Sequence, residues 1–310
     1  MAITGTGTKD DPYIVHNYDE LKEKYTEENG SSMEWYIKLV NDIDCNDLGD
    51  DWEWTAMTRG YGNKHIDLDG HTIKNIMIKS GSSLFSDKNE STYISNGKIL
   101  NVFNNGATNI SNGVKLNNVS ISVNGTGVTG IAFVGSRMTN CALYYKTAKL
   151  NNYIATCYHQ EDQVYFKNCD LWFDVFDVNE KTLAENTNRE VGYSRIGFEN
   201  CRMRGTIKGI PAGFDGSSYG GDYSGKGLFN RAYCNNCVIE MDTTGLVFTA
   251  DYQYLLPIFR TLDETNSIIN KDKMSDRCNL SDKRYACTSA QMRDPDYLNS
   301  IGFNVVKVGG

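Results

Sequence analysis

Four side chains in this sequence could gather around a metal. His65, Asp67, Asp69 and His71 alternate, so on a strand they share one face, and imidazole with carboxylate suits a transition metal. The competing reading is a polar outer face beside a turn. Cys234-Asn235-Asn236-Cys237 has the spacing of half a zinc site, but no second pair completes it. Two carboxylate pairs could do acid chemistry, Asp170 with Asp174 and Asp215 with Asp222. Glycoside cleavage uses two such groups roughly 5–9.5 Å apart. Acidic residues are abundant here, so pairs of this kind also arise by chance. Tyr144, Trp172 and Phe176 offer flat faces for a sugar ring, with Arg204 among them. There is no nucleophile elbow, phosphate-binding loop or metalloprotease helix. The balance is against an enzyme, and no cofactor or metal is expected.

Most of these residues belong to a repeat, and the repeat decides what can position them. Asn140-Cys141-Ala142-Leu143-Tyr144 returns as Asn168-Cys169-Asp170-Leu171-Trp172, Asn200-Cys201-Arg202-Met203-Arg204 and Asn236-Cys237-Val238-Ile239-Glu240. Looser forms begin at Asn75, Asn96 and Asn118, and the intervals between anchors are 21, 22, 22, 28, 32 and 36 residues. After each anchor apolar residues alternate, as in Val119, Ile121 and Val123, which predicts strands with one buried face. So short a unit cannot close its own core and must stack on its neighbours. The prediction is an all-β fold, a parallel β-helix with Asn at a recurring corner, where it tolerates the left-handed conformation. A β-sandwich is the alternative, but a sandwich needs no fixed period. The longer late intervals read as loops inserted on one side, with Asn179 to Glu190 and Gly209 to Gly227 as examples.

Stacking in register would place Cys141, Cys169, Cys201 and Cys237 in one column, about 4.8 Å apart. They would fill core space as small hydrophobes do. Counting from each Asn, the fourth position carries Tyr144, Trp172, Arg204 and Glu240. The second sets Asp170 above Arg202, and the sixth sets Lys146 beneath Asp174. These outward residues read as stabilising ladders, as a carbohydrate-binding face, or as a subunit interface.

The expected organisation is a lead-in segment over 1–60, a coil body over 61–260 and a closing segment over 261–310. Asn17 or Asp19 could cap a short helix near 18–28, with Tyr18, Leu21 and Tyr25 on one face, closing the end of the coil. Asn266-Ser267-Ile268-Ile269 reads as a last imperfect coil, Ser289 to Leu298 as a helix or turn, and Asn304 to Lys307 as a final strand. A net charge of −8 and a pI near 5.1 argue against a nucleic-acid surface. No apolar run is long enough to span a membrane, and the N-terminus lacks the charged and apolar regions of a signal peptide. Disulfides are therefore not expected.

The ends of the chain carry a resemblance. Gly5-Thr6-Gly7-Thr8 with Asp11-Pro12-Tyr13-Ile14-Val15 and Asp19-Glu20-Leu21, then Asp42-Ile43-Asp44, Trp52 or Trp54, Leu68-Asp69-Gly70-His71-Thr72-Ile73 and Leu84-Phe85, resemble the opening of a group of right-handed parallel β-helix proteins. Met292 and Tyr297-Leu298-Asn299-Ser300-Ile301-Gly302-Phe303 resemble its closing segment. The Asn-Gly insertion common in the group's Asp-Gly turn is missing. The group includes bacteriophage virion appendages and bacterial adhesin-like surface proteins. The resemblance implies a right-handed winding, and as function a structural subunit of a phage virion: a fibre, spike or decoration protein. Such subunits are usually trimers, contacting other virion proteins and in some cases host surface polysaccharide. They are assembled in the host cytoplasm and not secreted. A tail-spike polysaccharide depolymerase and a bacterial surface adhesin remain alternatives.

Overall fold

One bend in the backbone recurs and sets the architecture. Asn96, Asn118, Asn140, Asn168, Asn200, Asn236 and Asn266 all hold φ between 49° and 56°, the left-handed region where Asn is at home. The computed structural model describes residues 2–27, 33–49, 52–54, 57–58, 63–86, 91–105, 109–127, 133–134, 136–147, 155–156, 165–178, 195–209, 229–245, 259–274 and 285–303.

Among the described residues, 23 strands join in one sheet, and every pairing between strands is parallel. The sheet bends into three stacks. The first holds the strands that lead into each bend, including Tyr13–Val15, Glu34–Leu39, Asn63–Asp67, Arg137–Thr139, Tyr165–Lys167, Arg195–Glu199, Phe229–Asn235 and Phe259–Thr265. The second holds those that leave it, including Thr72–Ile78, Ala142–Thr147, Asp170–Val178, Arg202–Gly209 and Val238–Asp242. The long strands Thr92–Asn105 and Val114–Gly127 pass through the bend and serve both. Short strands such as Met57–Thr58, Ser83–Ser86, Asn109–Asn112 and Phe133–Val134 make the third. The chain visits the stacks in turn, so the molecule is an all-β parallel solenoid. A sandwich, built from antiparallel sheets, is ruled out by the pairing.

The alternation in the sequence is the inside-outside alternation of these strands. Cys169, Leu171, Phe173 and Val175 are buried, as are Cys237, Ile239 and Met241, in one core running from Val15 to Ala286. Gly205 shows how tightly the coils close. It is buried beside Phe173 in the register with φ 125°, and a Cβ there would stand 2.0 Å from the Phe173 carbonyl oxygen. Only glycine fits.

A first helix, α1 (Tyr18–Thr26), lies against the opening coils. Asn17 caps it by accepting the Glu20 N–H at 3.0 Å, while the Glu20 carboxylate accepts the His16 N–H at 2.8 Å. Tyr18, Leu21 and Tyr25 are buried, and their partners include Trp54 and Phe85. Lys64, fully buried, donates from Nζ to the Lys24 and Glu27 carbonyls at 3.1 and 3.0 Å, at the helix C-terminus. A second helix, α2 (Pro295–Ser300), is capped by Asp294 and packs Leu298 against Ile268 and Cys287. No helix among the described residues is long and apolar enough to cross a membrane.

Two sequence readings need correction. Asn75 is left-handed, φ 58°, but it lies within the strand Thr72–Ile78 and pairs with Asn101 in the next coil. The true corner of that coil is Asp69-Gly70, with φ of 48° and 85°, so the first interval of 21 residues is not a coil length. The coil at Ile268–Asn270 is present but is not the last, since Ala286–Cys287 adds another strand to the second stack. The proposed strand at Asn304 to Lys307 and most of both proposed loops lie outside the described residues.

Candidate functional site

The outer face of the second stack gathers most of the residues singled out in the sequence. Tyr144, Trp172, Arg204 and Glu240 stand side by side in register across four coils. The Arg204 guanidinium lies 4.9 Å over the Trp172 ring and makes an ion pair with Asp170. Asp170 is also in register with Arg202, as expected, but the ion pair runs diagonally. Arg202 reaches on to Glu240 instead, at 2.6 and 2.8 Å. Diagonal neighbours on one sheet face are within reach of long side chains, and resting on Trp172 carries Arg204 to Asp170. Lys146 is in register with Asp174, which accepts the Tyr144 hydroxyl at 3.3 Å and the Thr206 N–H at 3.0 Å. Half-exposed pairs of this kind contribute about 0–1 kcal/mol each. Their chemistry is to tie one coil to the next.

Asp170 and Asp174 are four residues apart on one strand, which sets their Cα atoms about 13 Å apart at ~3.3 Å per residue. Phe176 lies on the same strand, but its side chain lies outside the described residues, as do Asp215 and Asp222 altogether.

The His-Asp constellation does not converge. Asp69 pairs with Lys38 at 3.0 Å, His71 faces Asp42 at 3.2 Å, and Asp67 accepts from the Asn96 amide at 3.1 Å. Cys234 and Cys237 are both fully buried. Among the described residues no three His, Cys, Asp or Glu side chains gather as metal ligands.

Two ladders run along the interior and the corner. Cys141, Cys169, Cys201 and Cys237 form one buried column. Their sulfurs lie 3.2–3.4 Å from backbone carbonyl oxygens, Cys169 reaching Met138 and Cys201 reaching Phe166 in the coil before. All seven cysteines among the described residues are free thiols. At the corner, side-chain amides bond in series: Asn118 to Asn96, Asn168 to Asn140, Asn200 to Asn168 and Asn236 to Asn200, at 3.0–3.1 Å. One step deviates, with Asn140 donating to Asn117.

A second outer column, on the first stack, escaped the sequence reading. His65 is stacked between Tyr36 and Tyr93, ring centroids 4.4 and 4.7 Å away and each pair within 8° of parallel. Lys115 Nζ sits 4.7 Å from the Tyr93 ring centroid and donates to its hydroxyl at 3.1 Å. Arg137 follows in register with Lys115. Burial between the rings pushes the His65 imidazole below its usual value, against the pull of Glu34 4.0 Å away. The signal was available: Tyr93, Lys115 and Arg137 each stand three residues before a corner Asn.

No family model matches this chain, and no curated protein matches it. Among solved structures, a Bacteroides ovatus chain thought to be an immunoglobulin A1 protease is similar to it, at 17% identity and a TM-score of 0.41, over 84% of this chain and 86% of that one.

Proposed function

We propose that this chain is a structural subunit of a bacteriophage virion: a fibre, spike or decoration protein. In this reading it winds as a single-stranded, right-handed parallel β-helix, with α1 closing its N-terminal end. The observation that carries the reading is where the outward polar groups go. Asp170 with Arg204, Arg202 with Glu240, Lys167 with Glu199 and the Asn series all join one coil to another. Such cross-links along the axis suit a load-bearing part. The free, buried thiols suit assembly in a reducing cytoplasm. The resemblance at both ends of the chain points the same way. The subunit would join copies of itself, as a trimer, and other virion proteins, and would meet host surface polysaccharide without cleaving it.

The test is peptide fingerprinting and immunogold labelling of purified phage particles. Labelled particles support the reading. Recovery from a bacterial envelope fraction, with none in particles, makes the protein an adhesin. New reducing ends or unsaturated products on incubation with host capsule make it a depolymerase.

A further inference from the structure

The charge of this chain is unevenly spread. It has 39 acidic residues in 310, so seventy residues would hold about nine at the average frequency; residues 91–160 hold none. The same stretch carries five cations: Lys98, Lys115, Arg137, Lys146 and Lys149. Residues 1–70 carry 16 acids against 6 cations, a net charge of −10. The described part of the acid-free stretch lies in successive coils, because Val114–Gly127 pairs with Thr92–Asn105 on one side and with Arg137–Thr139 and Ala142–Thr147 on the other. Among the described residues it therefore forms a belt of coils that carries four cations, Lys98, Lys115, Arg137 and Lys146, and no acid, in an otherwise acidic chain.

The chemistry of the belt is specific. Lys115 and Arg137 are adjacent in register on the first stack, about 4.8 Å apart at the usual strand spacing. Tyr93 is 37% exposed, with its hydroxyl bound by Lys115. The next outward column of that stack is Ser95, Asn117 and Thr139, which are neutral groups that donate and accept hydrogen bonds. We infer that this belt binds an anionic polysaccharide, its carboxylates or sulfates meeting Lys115 and Arg137 and its hydroxyls meeting Ser95, Asn117 and Thr139. The inference deepens the virion reading, on which it rests, by naming the class of glycan and placing it on the first stack, away from Trp172.

Charge and geometry favour a glycan over a nucleic acid. One face of Tyr93 is covered by His65, and Lys115 Nζ, donating to its hydroxyl, sits 4.7 Å from the ring centroid, so a base would have to displace the lysine to stack there. A duplex carries a charge every ~1.7 Å, and the acidic flank of 1–70 repels a long, dense polyanion laid along the axis. A sparser chain of sugars crosses the belt without meeting that flank.

The test is retention of the full chain on immobilised hyaluronan at low salt, with neutral dextran and duplex DNA as comparisons. Hyaluronan should retain the protein and dextran should not. Lys115→Gln/Arg137→Gln should weaken retention about tenfold or more, roughly one lost charge contact of ~1.4 kcal/mol, while Lys208→Gln, outside the belt, leaves it unchanged. Thermal melting shows whether each variant is folded, and Lys115→Arg should restore binding. Equal retention of the double variant, equal retention on dextran, or tighter retention on DNA overturns the inference. So does a change in sedimentation mass caused by the belt variants, which would make the belt a contact between copies of the chain. A protein found in particles but indifferent to hyaluronan sinks this inference alone; one that binds it but is absent from particles sinks only the virion reading.

Discussion

Asn200 donates its side-chain N–H to Oδ1 of Asn168 at 3.0 Å, and the two residues share a φ of 53°. One residue type meets both needs, because Asn accepts the left-handed bend and carries donor and acceptor together.

The two needs separate by mutation. Asn168→Ala loses both and should cost about 2–3 kcal/mol, from ~1–2 for the bend and ~1 for the exposed hydrogen bonds. Asn168→Gly keeps the bend and should cost nearer ~1 kcal/mol. Urea unfolding followed by far-UV circular dichroism should rank them wild type, Gly, Ala. Equal losses would show that the bend carries no strain.

Gly205→Ala should be among the most damaging single-methyl additions in the chain. The new Cβ meets backbone, the Phe173 carbonyl, which cannot rotate away. The expected loss is several kcal/mol, seen as aggregation or a lower melting temperature. Gly49→Ala is the matched control: φ is 127°, with nothing among the described residues within 4 Å of the added carbon.

The thiol column should be silent in the folded protein. Cys141, Cys169, Cys201 and Cys237 are each at most 4% exposed, so the reagent cannot reach them, and burial pushes the Cys45 thiol up to about 12. With Cys157→Ser and Cys278→Ser in place, Ellman's reagent should find essentially none of the seven described thiols until guanidinium is added, and then all seven. Fast reaction of several thiols in native buffer would refute the buried column.

Acid should loosen the opening coils first. The Thr72 N–H, then His71, hold the Asp42 carboxyl below its usual range, and the amide of Asn75 does the same for Asp44. A folded value below the unfolded one gives stability that is complete above the ordinary value near 3.9. It is lost as pH falls through the folded values beneath that. Asp42→Asn/Asp44→Asn should therefore flatten the fall in melting temperature between pH 4 and pH 2. An unchanged acid limb would place the sensitivity elsewhere.

The parallel stack and the thiol column were legible in the sequence, because Asn-Cys and the alternation after it mark both the corner and the inward face. The first corner was not. Asn75-Ile76-Met77-Ile78 fits the pattern, whereas the working bend at Asp69-Gly70 uses other residue types for the same dihedral. Positions on the outer face were read correctly, and an Arg on an aromatic face is found as Arg204 on Trp172, but the expected pairing of Asp170 with Arg202 is not made. Register fixes which Cα atoms face each other, while a side chain as long as Arg204 chooses among diagonal neighbours. The Tyr36–His65–Tyr93 column was missed because it emerges only on counting backwards from each corner.

In the Asn series each amide gives its proton toward the amino end, from Asn236 through Asn200 and Asn168 to Asn140. The corner thus has a sense, like an arrow, and each of these joints is the same joint. A complete turn of chain spliced between two of them would find a lone pair on one side and an N–H on the other. The length of such a molecule is open to change by whole graduations, as on a ruler, without redesign of its seams.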